Sequence, residues 1–157
     1  LVNAYNNYLA KERGTRLHAF AAECIELGQT LPRTQAGLTL NTYVNDAIGY
    51  RLQPEKVLYY SDNAFGTADA IDFRKNVLRI HDLKTGKTEA KIEQLMIYAA
   101  LFCLEYKKNP EDIMIVLRIY RDNRIFEKVP EPQDIREIMA KIIMFDKHII
   151  DIQKGAQ

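Results

Sequence analysis

Between residues 56 and 85 the chain reads KVLYY (56–60), FGTADAIDF (65–73) and VLRIHDLKT (77–85), with only SDNA and RKN between these runs. Val, Ile, Tyr, Phe and Thr suit a pleated, half-buried surface, and short connectors rich in Asn, Asp and Lys suit tight turns. The stretch therefore predicts three successive strands. Its spacing also limits the chemistry. Side chains two apart on a strand share a face, so Asp82 and Lys84 point one way while Leu83 and His81 point the other. If the second and third strands pair as a hairpin, Asp69 and Asp82 approach each other within the sheet.

Helical periods surround this region. Over residues 3–28, Leu17, Phe20, Ala21, Cys24 and Ile25 recur at the spacing of one helix face. Gly14 interrupts that pattern and predicts a kink or two helices, and Gly28 supplies a stop. Residues 29–40 read as a linker. Asn41 is the expected cap of a short helix carrying Tyr43, Val44, Ala47, Ile48 and Leu52, ended by Pro54. Residues 88–107 predict a strong helix capped by Thr88, with Ile92, Leu95, Met96, Ala99, Cys103 and Tyr106 as its core stripe. DIMIVLRIY (112–120) and RIFEKV (124–129) read as two strands joined by RDN, and Pro130 and Pro132 stop the sheet. Residues 133–152 form the closing helix, with Ile135, Ile138, Met139, Ile142 and Ile149 on one side. The order is α, α, β, β, β, α, β, β, α. The expected fold is α/β, a mixed central sheet flanked by helices, in a single domain over residues 1–157.

The bulk numbers exclude several classes. A net charge of +1, from 22 basic and 21 acidic residues, is not that of a polycation coating nucleic acid by charge alone, but leaves room for a local basic groove. The two cysteines, Cys24 and Cys103, sit in apolar helical patterns and read as buried thiols, too few for a disulfide framework. No apolar run is long enough to span a bilayer and no signal peptide is visible, so a soluble, cytoplasmic protein without membrane partners is expected.

Two facing carboxylates repel unless a cation lies between them, and oxygen-rich sites of this kind suit Mg²⁺ or Mn²⁺. Lys84 borders such a site and is placed to orient a water or balance phosphate charge. The plainer alternative is that Asp69 caps a turn while Asp82 pairs with Lys84 or Arg74. Gln94 and Tyr98, four apart on a helix, share a face beside the apolar stripe. His18 lies at the margin of the first helix's stripe, where a boundary role competes with ligation. His81 and His148 read as structural. TGKT (85–88) resembles the end of a P-loop, but that motif needs glycine where His81 stands.

Taken in order, Gly14-Thr15…His18, Gly66…Asp69, Asp82-Leu83-Lys84-Thr85-Gly86 and Gln94…Tyr98 resemble the PD-(D/E)XK nuclease superfamily. Within it they look most like the RecB-type branch, which includes Cas4-like and many phage and organelle exonucleases. The resemblance spans about residues 14–120 and implies a restriction-endonuclease-like αβββαβ core. It implies a divalent-metal-dependent DNA nuclease, an exonuclease of recombination, repair or phage DNA processing, with partners from such complexes. By it Asp69 and Asp82 would be carboxylate ligands of Mg²⁺ or Mn²⁺, His18 an extra ligand, and the Leu83 carbonyl a backbone ligand. Lys84 would be the catalytic lysine, and Gln94 and Tyr98 the pair that positions the DNA strand. Arg13, Arg16, Lys87 and Lys91 would line the approach. Ala68 replaces the usual proline before the first Asp, and the cysteines for an iron–sulfur cluster are missing. A minimal nuclease, or the nuclease part of a larger protein, is implied. The competing expectation is a nucleic-acid-binding or scaffolding module of the same fold that has lost its chemistry.

Overall fold

In the computed structural model, which describes residues 2–34, 37–86 and 91–156, the turns set the sheet. Lys75 and Asn76 have φ of 52° and 62°, and Asp122 and Asn123 have 50° and 60°. Two successive residues at positive φ give the turn whose twist matches a right-handed β-hairpin, and Asn adopts it at little strain. These turns join β2 (Ala64–Arg74) to β3 (Val77–Leu83) and β4 (Met114–Arg121) to β5 (Arg124–Lys128). β1 (Gln53–Ser61) pairs antiparallel with β2, and β3 lies parallel to β4. A parallel pair needs a crossover, supplied by α3 (Ile92–Glu105). The result is a five-stranded mixed sheet in the order β1-β2-β3-β4-β5.

Helices cover both faces. α3 and α4 (Pro132–Gly155) pack on the face presenting Leu58, Leu78, Ile80 and Leu117, against Leu95, Ala99 and Ile135. α1 (Val2–Leu27) and α2 (Leu38–Gly49) pack on the other, where Ala70, Leu83 and Tyr120 meet Ala21, Val44 and Ala47. β3 shows the alternation directly: Leu78 and Ile80 belong to the first cluster and Leu83 to the second. The α/β class and the helix-flanked mixed sheet are as the sequence predicts.

Several local expectations are corrected. α1 runs unbroken through Gly14, which is buried because the helix crosses the end of β3 there: a Cβ on it would lie 2.7 Å from Thr85 Oγ1. Phe20 is exposed rather than in the core stripe, which is Ala21, Cys24 and Ile25. Gly28 does end α1, at φ 68°, with Gln29 N–H donating to Cys24 O and Gly28 N–H to Ile25 O, a Schellman closure. α2 begins after Gly37, so Asn41 is in its first turn and donates from its side chain to Pro32 O instead of capping. Leu52 is buried beyond the helix, and Pro54 lies within β1. Thr88 lies outside the described residues. Tyr106, at the end of the α3 stripe, is exposed, while Cys24 and Cys103 are buried free thiols. Among the described residues no helix is long and apolar enough to cross a membrane.

Gly66 matters for how closely α3 approaches β2. A Cβ there would stand 2.8 Å from Tyr98 Cε1 and 3.3 Å from Cδ1. Gly66→Ala should therefore destabilise the protein by about 1–3 kcal/mol through overpacking. In a Tyr98→Ala background the same change should be neutral or stabilising, because the clash is gone and alanine is less costly to order than glycine. Urea unfolding of the four proteins of this cycle measures the coupling, and an equal loss in both backgrounds would refute the close-contact account.

Candidate metal centre

Leu83, at the end of β3, organises the site. Its backbone N–H donates to Asp69 Oδ2 at 2.9 Å, and its carbonyl accepts from His18 Nε2 at 2.7 Å. Its side chain is buried between α1 and α2. Asp69 on β2 and His18 on α1 are thus drawn to one residue, and His18 Nε2 lies 3.4 Å from Asp69 Oδ2. His18 Nδ1 is 2.8 Å from Gly14 O. Both ring nitrogens face carbonyl oxygens, which only accept, so the geometry requires the doubly protonated imidazolium. The hydrogen bond with Asp69 is the main cause that raises the His18 pKa to about 9, against the opposing effect of burial. For Asp69 burial alone would raise the carboxyl, but the hydrogen bonds from His18 and the Leu83 N–H outweigh it and hold the group below its usual range.

Asp82 stands next to it on β3, almost wholly buried. Burial first, and the negative charge of Asp69 second, push its carboxyl up to about 7, with Lys84 opposing them. The two carboxyls titrate as a pair in which Asp69 is the ionised member. Lys84 Nζ is 3.0 Å from Asp82 Oδ2, yet that buried oxygen receives no hydrogen bond of proper geometry. The pair is a close charge contact, not a directed bond. From Lys84 a chain of polar groups continues onto α3: Lys84 Nζ donates to Gln94 Oε1 at 3.3 Å, and Gln94 Nε2 donates to Tyr98 Oη at 3.0 Å.

The structure therefore brings together His18, Asp69, Asp82, Leu83, Lys84, Gln94 and Tyr98. Arg74 pairs with Asp72, not Asp82. An open cleft runs from this cluster along α1, and Arg13 and Lys11 line it with Asn6 and Asn7. Arg16 is exposed on the same helix, Lys91 belongs to a separate groove against Phe126, and Lys87 lies outside the described residues. His81 is fully buried on the opposite face beside Tyr120, its pKa pushed down to about 3 by burial and then by Arg118 and Arg79. Glu55 on β1 also lines the cleft. Sequence reasoning missed it by starting that strand at Lys56, and an acid beside a strand-borne proline carries no periodic signal.

Two carboxylates, a carbonyl and an imidazole are the right donors in kind for Mg²⁺ or Mn²⁺, and among the described residues the buried Asp82 Oδ2, in charge contact with Lys84, receives no hydrogen bond of proper geometry. Among the described residues no group of three or more His, Cys, Asp or Glu side chains is already arranged as a metal cage. His18 Nε2 spends its proton on Leu83 O, so ligation by that nitrogen requires losing the proton.

Without metal, His18 has a folded pKa of about 9 against an ordinary 6.5, so its contribution to stability is complete below 6.5 and lost as pH rises through 9. Asp82, raised to about 7, acts in a lower window, between its ordinary 3.8 and 7. Melting curves in chelator should therefore show wild type losing stability between pH 7 and 10 relative to His18→Gln. Parallel pH profiles for the two proteins would refute the imidazolium assignment.

No family model matches the chain, and no solved structure matches it, so the geometry around Leu83 is what bears on function.

Proposed function

We propose that the chain is a divalent-metal-dependent DNA nuclease, hydrolysing phosphodiester bonds as the PD-(D/E)XK resemblance implies, and acting as an exonuclease in the cytoplasm or in phage or organellar DNA processing. One observation carries this reading. The end of β3 gathers Asp69, Asp82, the Leu83 carbonyl and His18, and beside Asp82 a lysine linked through Gln94 to Tyr98.

His18, Asp69, Asp82 and the Leu83 carbonyl would hold the cation. Bound there, Mg²⁺ or Mn²⁺ supplies Lewis-acid polarisation of a phosphoryl oxygen and lowers the pKa of water. The protein's own groups do the rest. Lys84 is a donor-only cation fixed between Asp82 and Gln94, so it presents N–H groups to a water oxygen and positive charge to a phosphate that gains negative charge at the transition state. Hydrolysis adds that water across the P–O bond: the attacking oxygen loses a proton and the departing oxygen gains one. Gln94 and Tyr98, one turn apart on α3, meet the strand beside the reacting phosphate and hold it in register. Lys11 and Arg13 along the cleft supply phosphate contacts that make binding salt-sensitive.

Cleavage assays with Mg²⁺ or Mn²⁺ on linear, circular, single-stranded and branched DNA test the reading. Lys84→Ala should retain DNA affinity while turnover falls about a hundredfold or more, because the lysine acts chiefly in the transition state. Cleavage within a few-fold of wild type would make Lys84 a mere partner of Asp82. Binding without cleavage of any substrate by wild type would favour the nucleic-acid-binding module.

A further inference from the structure

Acidic residues form one row across three strands. In the β1–β2 pairing Pro54 faces Ala70 and Lys56 faces Ala68, so Glu55 stands opposite Asp69. In the β2–β3 pairing Ala70 faces His81, and the same register carried one residue further sets Asp69 opposite Asp82. Adjacent strands are about 4.8 Å apart, and like charges directly opposite one another oppose pairing. Glu55, Asp69 and Asp82 are thus consecutive carboxylates along a line where a sheet would ordinarily alternate sign.

Glu55 carries a second penalty. Its φ is 53°, a left-handed conformation that a side chain disfavours. The other non-glycine residues at positive φ lie in turns or just past helix ends, whereas Glu55 is inside a strand. Its carboxylate makes no hydrogen bond or ion pair with any described residue, and it opens into the cleft that His18 and Asp69 also line. Among the described residues the positive partners of this row are His18 and Lys84. Among the described residues the buried Asp82 Oδ2 has Lys84 Nζ 3.0 Å away but receives no hydrogen bond of proper geometry.

We propose that Glu55 is a further carboxylate ligand of the cation site, delivered from β1 by its left-handed backbone. The inference rests on reading the Asp69–Asp82 cluster as a cation site. A divalent ion beside Asp69 turns the row from mutual repulsion into shared coordination, and hard cations take several oxygen ligands.

Calorimetric titration of Mn²⁺ into the whole chain, with melting curves in chelator, tests this apart from any cleavage. Glu55→Gln keeps the backbone strain and removes the charge. It should weaken Mn²⁺ binding about tenfold. Glu55→Gly removes both, so it should bind Mn²⁺ as weakly while its metal-free melting point rises by about 2–4 °C as the strain is relieved. Wild-type affinity in Glu55→Gln, with binding lost in Asp82→Asn, would overturn the role of Glu55 and leave the cation site standing. No Mn²⁺ uptake by wild type would overturn both. Failure to detect DNA cleavage would touch neither result.

Discussion

The end of β3 is held by three parts of one residue. Leu83 gives its N–H to a carboxylate from β2, its carbonyl to an imidazole from α1, and its side chain to the core between α1 and α2. Lys84 N–H then continues the parallel ladder by donating to Tyr120 O at 2.9 Å. A strand end ordinarily frays, because its last backbone groups turn to water. Here those groups are bonded to the side chains of the candidate site. A charge-assisted hydrogen bond is roughly twice as strong as a neutral one, so the two at Leu83 fix Asp69 and His18 as firmly as they fix the strand.

This arrangement keeps two carboxylates in a buried place. An isolated ionised carboxylate there would be strongly disfavoured, and two would be worse. The cluster answers with an imidazolium against Asp69 and an ammonium against Asp82, and still leaves Asp82 holding its proton to near neutral pH. The electrostatic strain is concentrated at the cleft, while the opposite face of β3 buries His81 neutral. One strand carries the carboxylate cluster on one side and, on the other, a neutral histidine set between Tyr50 and Tyr120 with Arg79 and Arg118 nearby, as the two-residue period requires.

The sheet was legible because its signals are local. Three β-rich runs with Asn-containing turns and a long apolar helix before two more strands leave few arrangements. The cluster was legible in part because i and i+2 share a strand face and i and i+4 share a helix face, which placed Asp82 with Lys84 and Gln94 with Tyr98. What the sequence hid depends on contacts distant in the chain. Gly14 reads as a helix breaker, yet it is a helical residue made small by Thr85. Pro54 reads as a stop, yet it sits on an edge strand, where its missing N–H is tolerated. Treating it as a stop moved the strand boundary past Glu55. His18 could be placed at a margin, but nothing local tells that both its nitrogens meet carbonyls 4 and 65 residues away.

Residues 2–13 of α1 are exposed all round, and the helix first meets the body at Gly14. At 1.5 Å per residue this is an arm of roughly 18 Å standing clear of the core. A peptide of that length is marginally helical alone, but this one is propagated from a turn already nucleated by packing. Asn6, Asn7 and Ala10 on this arm form one wall of the cleft. A ligand lying in the cleft would therefore bury side chains of α1 that the protein's own core leaves exposed.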